Sequence, residues 1–169
     1  LSLEIIWTRI LSLIFGPSVY ALGIVLFVNL LGLGMGAWIS PRISRWTSKA
    51  HAIIGTLFFG ALAIAGGTMM VGVLPYLFLF FVEKLAPRIE LLRSVELLLS
   101  AFTMFPAALA QGLLLPFLVI WVSERRAARN AGRIFSINTV GSILGAVATG
   151  LWLIPKYGLL ISLLLFFVL

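Results

Sequence analysis

Residues 18–39 read SVYALGIVLFVNLLGLGMGAWI, an apolar run without a single acidic or basic side chain. A helix needs roughly 20 such residues to cross the hydrocarbon core of a bilayer. The remainder of the 169-residue chain is similar, since 62% of it is hydrophobic and only 10% is charged. A soluble domain usually carries about 25% charged residues. The sequence therefore predicts an integral membrane protein, and the long apolar runs favour helices over the short alternating strands of a barrel.

Apolar segments separated by short polar segments predict an all-α, polytopic transmembrane helix bundle. We expect about six spans: 1–15, 18–39, 52–82, 95–122, 134–154 and a last one from 159. The first and last are short for a crossing, so we expect a fragment truncated at both ends. On this interpretation residues 1–169 form a single transmembrane domain, and any soluble C-terminal domain is absent.

Glycine and proline predict breaks inside the longer spans. The third span contains Gly66, Gly67, Gly72 and Pro75, so we expect a kink after which residues 75–93 bend into the membrane interface. The fourth contains Pro106 and Pro116, which predict either ordinary kinks or the broken helix of a transport site. Pro17, in the turn at 16–18, is expected to start the second helix.

Basic residues predict the orientation in the membrane. Loop 40–51 has three and loop 123–133 has four, and alternating spans place both loops on one side. The opposite side has four: Lys84, Arg88, Arg93 and Lys156. The positive-inside rule makes the two loops cytoplasmic, in a protein of the bacterial inner membrane. The basic residues are divided between short loops, which fits contact with anionic lipid and argues against nucleic-acid binding.

Residues for metal or covalent chemistry are scarce. The chain has no cysteine, and its one histidine, His51, lies beside a basic loop. No cluster of His, Asp and Glu has metal-ligand spacing, and neither a P-loop nor a nucleophile elbow occurs. We therefore expect no catalytic, cofactor or metal site in this chain, and no cofactor.

Small residues four apart predict faces where helices pack closely. The second span has Gly32 and Gly36, and the fifth has Gly141 and Gly145 with Gly150 further along. Two such faces indicate a tightly packed bundle, with contacts to other membrane subunits or a second copy also open. Asn138 lies one turn before Gly141 on the same face. It is expected either to hydrogen-bond to a neighbouring helix or to line a polar cavity.

Two charged residues lie inside the first span. At about 1.5 Å per residue, Arg9 is roughly 10 Å and Glu4 roughly 18 Å from Gly16, well within the hydrocarbon. A charge there costs about 2.5–3.5 kcal/mol on insertion scales, so we expect both side chains to face the bundle interior. The expected surroundings are polar groups such as Asn29, Asn138 and Thr139, or a water-filled cavity. The site is either a structural contact between helices or a binding site for a cationic, polyamine-type ligand or a proton.

The order of motifs resembles the membrane domain of fused spermidine synthase-like proteins. The resemblance is carried by LEIIWTRIL at 3–11 and FGPSVYALGIVLFVNLLGLGMGAWISPRISR at 15–45. It continues through PAALAQGLLLPFLV at 106–119 and GRIFSINTVGSILGAVATGLWLIPKYGL at 132–159. Such proteins place a multi-span region, described as similar to major facilitator transporters, before a soluble aminopropyltransferase-like domain.

The resemblance implies a membrane domain that anchors or serves a polyamine-related enzyme. Transport of the enzyme's substrate is a further role that the resemblance leaves open. Any aminopropyltransferase activity would belong to the absent soluble domain, so whether the parent protein is an enzyme stays open. The alternative is a non-catalytic structural subunit whose small-residue faces dock in a larger membrane complex.

Overall fold

The computed structural model describes residues 2–85, 88–122 and 127–168, and these are almost entirely helical. Seven helices follow one another: α1 (Ser2–Phe15), α2 (Val19–Trp46), α3 (Lys49–Val71), α4 (Leu74–Leu85), α5 (Ile89–Val122), α6 (Ala127–Ala148) and α7 (Ile154–Val168), with a π-helical turn, Thr149–Leu153, between the last two. No strand occurs in the described ranges. The prediction of an all-α helix bundle is confirmed.

Four helical stretches are long and apolar enough to cross a membrane: Val19–Trp46, Lys49–Val71, Ile89–Val122 and Ala131–Leu159. The first expected span is a helix of only 14 residues. The last expected span follows a backbone kink and is also short. By length and composition the described chain therefore has four membrane-length helices where the sequence predicts about six spans.

The basic loop expected at 40–51 is mostly helical. Helix α2 continues through Pro41 to Trp46, and α3 begins at Lys49, so only Thr47 and Ser48 lie between them. The side chain of Ser48 caps α3 by accepting a hydrogen bond from the backbone N–H of His51. Sequence reasoning ended the helix where the apolar run ended, but a helix can continue into the polar interface because its backbone hydrogen bonds do not require hydrocarbon.

The breaks in the chain follow the expected glycines and prolines. Helix α3 ends at Gly72, and Pro75 lies in the first turn of α4, where its missing N–H costs no hydrogen bond. Gly16 (φ 90°) and Gly158 (φ 79°) have the left-handed backbone that favours glycine. Pro17 does not start α2 as expected. Ser18 is the N-cap instead, with its hydroxyl accepting from the backbone N–H of Ala21 at 3.0 Å.

Helices α2 and α5 run in the same direction. Near the start of both, the Arg93 guanidinium lies 4.0 Å from the centroid of the Tyr20 ring. Farther along both, a Cβ atom at Gly36 would lie 2.8 Å from the backbone nitrogen of Leu113. Later positions on α2 thus meet later positions on α5, as expected when a second and a fourth span share one direction.

Helix α3 runs antiparallel to α5. A Cβ at Gly60 would lie 3.3 Å from the Cβ of Ala110, and a Cβ at Gly67 would lie 3.1 Å from the carbonyl oxygen of Thr103. The bundle consequently has two ends. The Gly16 end comprises the turn at 16–18, the α3–α4 break and the start of α5. The Thr47 end comprises the α2–α3 corner and the end of α5.

The main hydrophobic core surrounds α1. Its buried face has residues at helical spacing: Leu3, Ile6, Trp7, Ile10 and Leu11. These side chains pack with Val25 and Val28 of α2 and with residues of α4, α5 and α7. A smaller cluster near the Thr47 end joins Ala52 to Leu113 and Phe117. The short helix α1 thus supplies five side chains to this core, while the most extensive helix–helix contacts are those of α5 with α2 and α3.

Candidate intramembrane polar site

A small cavity lies between α1, α2 and α5 near mid-depth in the bundle. Its volume is about 10 Å³, and it is lined by Leu3, Glu4, Trp7, Asn29, Met104, Ala107, Ala108 and Gln111. Three of these residues have carboxylate or amide side chains, and each comes from a different helix. Two of the three, Glu4 and Asn29, belong to the polar site predicted from the sequence.

The α1–α2 hairpin sets the depth of the cavity. Glu4 is twelve residues before Gly16, and Asn29 is eleven residues after Ser18. At about 1.5 Å per residue these positions lie roughly 18 Å and 17 Å from the turn, so the two residues reach the same level. Asn29 follows Val25 and Val28 on the buried face of α2. The hairpin thus brings an acid and an amide together in the middle of the bundle.

Two of the polar side chains at the cavity are deeply buried, whereas Glu4 and Gln111 are partly buried. Asn29 is only 3% exposed, and Trp7 is 1% exposed. Within the described part of the chain, the indole Nε1 of Trp7 has no hydrogen-bond partner. An indole N–H that is buried usually finds a partner, because leaving a donor unsatisfied costs about 1–3 kcal/mol. The cavity is therefore lined by two deeply buried residues that can form hydrogen bonds, one from α1 and one from α2.

The other residues of the predicted polar site lie elsewhere. Arg9 is exposed on α1, and Asn138 and Thr139 are exposed on α6. Arg9 lies five residues from Glu4, about 140° around the helix, so turning Glu4 toward the cavity turns Arg9 outward. The Thr139 hydroxyl donates to the Phe135 carbonyl of its own helix. The expectation that Arg9 faces the bundle interior is therefore wrong for the described chain. Neither Asn138 nor Thr139 of α6 lines the cavity with Glu4.

The predicted glycine faces also divide into two groups. Gly32 and Gly36 lie against α5, where a Cβ at Gly32 would be 2.6 Å from the Cβ of Ala108. Gly145 faces the side chain of Ser2. Among the described residues, no atom outside the glycine's own helix backbone lies within 4 Å of a Cβ position at Gly141 or Gly150. The face of Gly32 and Gly36 thus brings α2 into backbone contact with α5. On the face of Gly141, Gly145 and Gly150, the described neighbour is the side chain that meets Gly145.

One buried acid was missed by the sequence reasoning. Glu96 on α5 is 8% exposed, one turn after Arg93 and one turn before the fully buried Ser100. The Ser100 hydroxyl has no hydrogen-bond partner in the described residues. The signal was present, because Glu96 is the second residue of the span expected at 95–122.

Among the described residues, no group of three or more His, Asp or Glu side chains lies close enough together to hold a metal ion. Comparisons with protein-family models, with curated proteins and with solved structures found no match for this chain.

Proposed function

We propose that this chain is the membrane domain of a spermidine synthase-like protein, and that it anchors an aminopropyltransferase domain in the bilayer. The ordered motifs from LEIIWTRIL to the segment at 132–159 support the family, and the four membrane-length helices support the role of an anchor. The proposal rests above all on the packing of α2 against α5. Backbone contact at Gly32 and Gly36 gives the domain a rigid pair of parallel helices.

The size of the polar cavity favours anchoring over transport at that site. A cavity of about 10 Å³ has room for roughly one water molecule. A polyamine is many times larger, so Glu4 and Asn29 do not hold one in this conformation. The membrane domain then serves the enzyme by fixing its position at the membrane.

The test is a comparison of the full-length protein with its soluble part. The coding sequence after Leu169 is expected to contain a glycine-rich strand–turn–helix and a pair of acidic residues. Membranes containing the full-length product should transfer an aminopropyl group to a polyamine acceptor. The downstream part expressed alone should show the same activity in the soluble fraction. A stop codon directly after Leu169, or membranes without transfer activity, would refute the proposal.

A structural subunit of a larger membrane complex is the second candidate, and one observation favours it. In the most apolar part of the stretch Ala131–Leu159, only 6% of the residues are buried. Its exposed side chains include Asn138, which would lack a hydrogen-bond partner in lipid. A partner helix on this face would supply one. A stop codon after Leu169, together with stoichiometric copurification of another membrane protein, would support this candidate.

A further inference from the structure

The cavity between α1, α2 and α5 combines small size with several polar groups. The residues that line it include one acid, Glu4, two residues with amide side chains, Asn29 and Gln111, and the aromatic residue Trp7. The remaining lining residues are apolar. Such a mixture is unusual at mid-depth in a membrane domain, where polar groups without partners cost several kcal/mol each.

The volume matches one small ligand. A cavity needs about 10–15 Å³, measured for the centre of a water-sized sphere, to hold one water molecule. The cavity here measures about 10 Å³. The size excludes a polyamine, a nucleotide or any other organic molecule.

The polar groups match water. A buried water usually makes two to four hydrogen bonds to protein groups. The amide of Asn29, which is 3% exposed, can both donate and accept, and so can that of Gln111. The indole N–H of Trp7 can only donate, and it has no partner among the described residues. We propose that the cavity binds one ordered water molecule, which joins Glu4 on α1 to Asn29 on α2 and Gln111 on α5.

A metal cation fits this lining less well. Among the described residues Glu4 is the one acid that lines the cavity, and the Trp7 side chain has no oxygen that could be a ligand. Divalent cations such as Ca²⁺ take six to eight oxygen ligands, more than these side chains provide. Water satisfies donors and acceptors together, which is what this set of groups requires. The assignment depends on the cavity alone and is independent of any aminopropyltransferase function.

A high-resolution structure of the full-length protein in lipid tests the proposal directly. We expect one density peak in the cavity, within about 2.7–3.2 Å of polar atoms of Asn29 and Gln111. A second data set from protein equilibrated with thallium ions should show no heavy-atom signal there. An absent peak would overturn the proposal. A thallium signal at the site would also overturn it, by showing a monovalent cation in place of water.

Two variants test the same point in solution. Asn29→Leu replaces the amide side chain by an apolar one of similar volume. The bound water then loses a hydrogen-bond partner, and the melting temperature of the protein should fall by several degrees. Asn138→Leu makes the same exchange on the exposed face of α6 and should leave the melting temperature unchanged. Equal melting temperatures for the two variants would contradict a water held by Asn29. If Asn29→Leu does not fold, the density peak in the parent protein still decides.

Discussion

At the scale of single residues, burial of polar groups follows the angular position of each residue on its helix. Glu4 and Trp7 lie on the side of α1 that faces α2 and α5, whereas Arg9 lies on the exposed side. The sequence predicts that an acid in this helix requires polar surroundings, because a bare charge in hydrocarbon is costly. Of the three partner residues that it names, only Asn29 lines the cavity with Glu4, because the choice depends on how the helices are rotated in the bundle.

Substitutions at Glu4 and Arg9 should therefore behave differently. Glu4→Gln keeps a hydrogen-bonding side chain at the cavity and should melt within a few degrees of the parent. Glu4→Leu places an apolar group among Asn29, Gln111 and Trp7, and should lower the free energy of unfolding by about 1–3 kcal/mol. Arg9→Gln, on the exposed side, should have a smaller effect than Glu4→Leu.

Thermal unfolding in a fixed detergent or nanodisc measures these differences. If Glu4→Leu were as stable as the parent, the polar cavity would not matter for packing. If Arg9→Gln were the most destabilised of the three, the exposed position of Arg9 would be contradicted.

At the scale of helices, the sequence predicts the interiors of the elements better than their ends. The apolar runs locate the cores of α2, α3 and α5, and Gly72 with Pro75 locates the break before α4. The sequence places the end of α2 too early, at 39 instead of Trp46, and the start of α5 too late, at 95 instead of Ile89, because helices continue beyond the apolar run into the interface. The partner of Gly32 and Gly36 could not be predicted at all. A glycine pattern identifies a packing face, but the helix that covers it is chosen by the whole bundle.

The glycine face of α2 offers a sharp test with a matched control. Gly36→Leu places a side chain where a Cβ would lie 2.8 Å from the backbone nitrogen of Leu113, so α2 and α5 must separate. Gly34 lies on the same helix with nothing within 4 Å of its Cβ position. Gly36→Leu should lower the free energy of unfolding by at least the roughly 1–3 kcal/mol that is usual for overpacking. Gly34→Leu should leave the free energy of unfolding almost unchanged.

Comparing the two variants shows whether the destabilisation comes from close packing at Gly36 or from the introduction of leucine anywhere in α2. Equal destabilisation by the two leucines would show that the α2–α5 contact is not specific to Gly36. Gly145→Leu should have an intermediate effect, because the residue that it meets is the side chain of Ser2, which can move.

At the scale of the whole molecule, charge and aromatic residues mark the two ends of the bundle. Arg42 lies 4.1 Å from the Trp38 ring centroid toward the Thr47 end, and Arg93 lies 4.0 Å from that of Tyr20 at the Gly16 end. Aromatic residues beside basic ones are typical of membrane–water interfaces. The parallel course of α2 and α5 requires the α2–α3 corner and the end of α5 to share one end. The two ends of the bundle are therefore the same two ends between which the basic residues of the sequence are unequally distributed.

The central claim is that this axis crosses a membrane with the basic Thr47 end in the cytoplasm. Single cysteines are introduced at Ser48, between α2 and α3, and at Arg88, just before α5, since the native chain has no cysteine. An impermeant thiol reagent is applied to intact cells and to inverted membrane vesicles. We expect the cysteine at position 88 to react in intact cells, and the cysteine at position 48 to react only in inverted vesicles. Labelling of both positions from the same side would contradict the bundle axis and, with it, the topology of the domain.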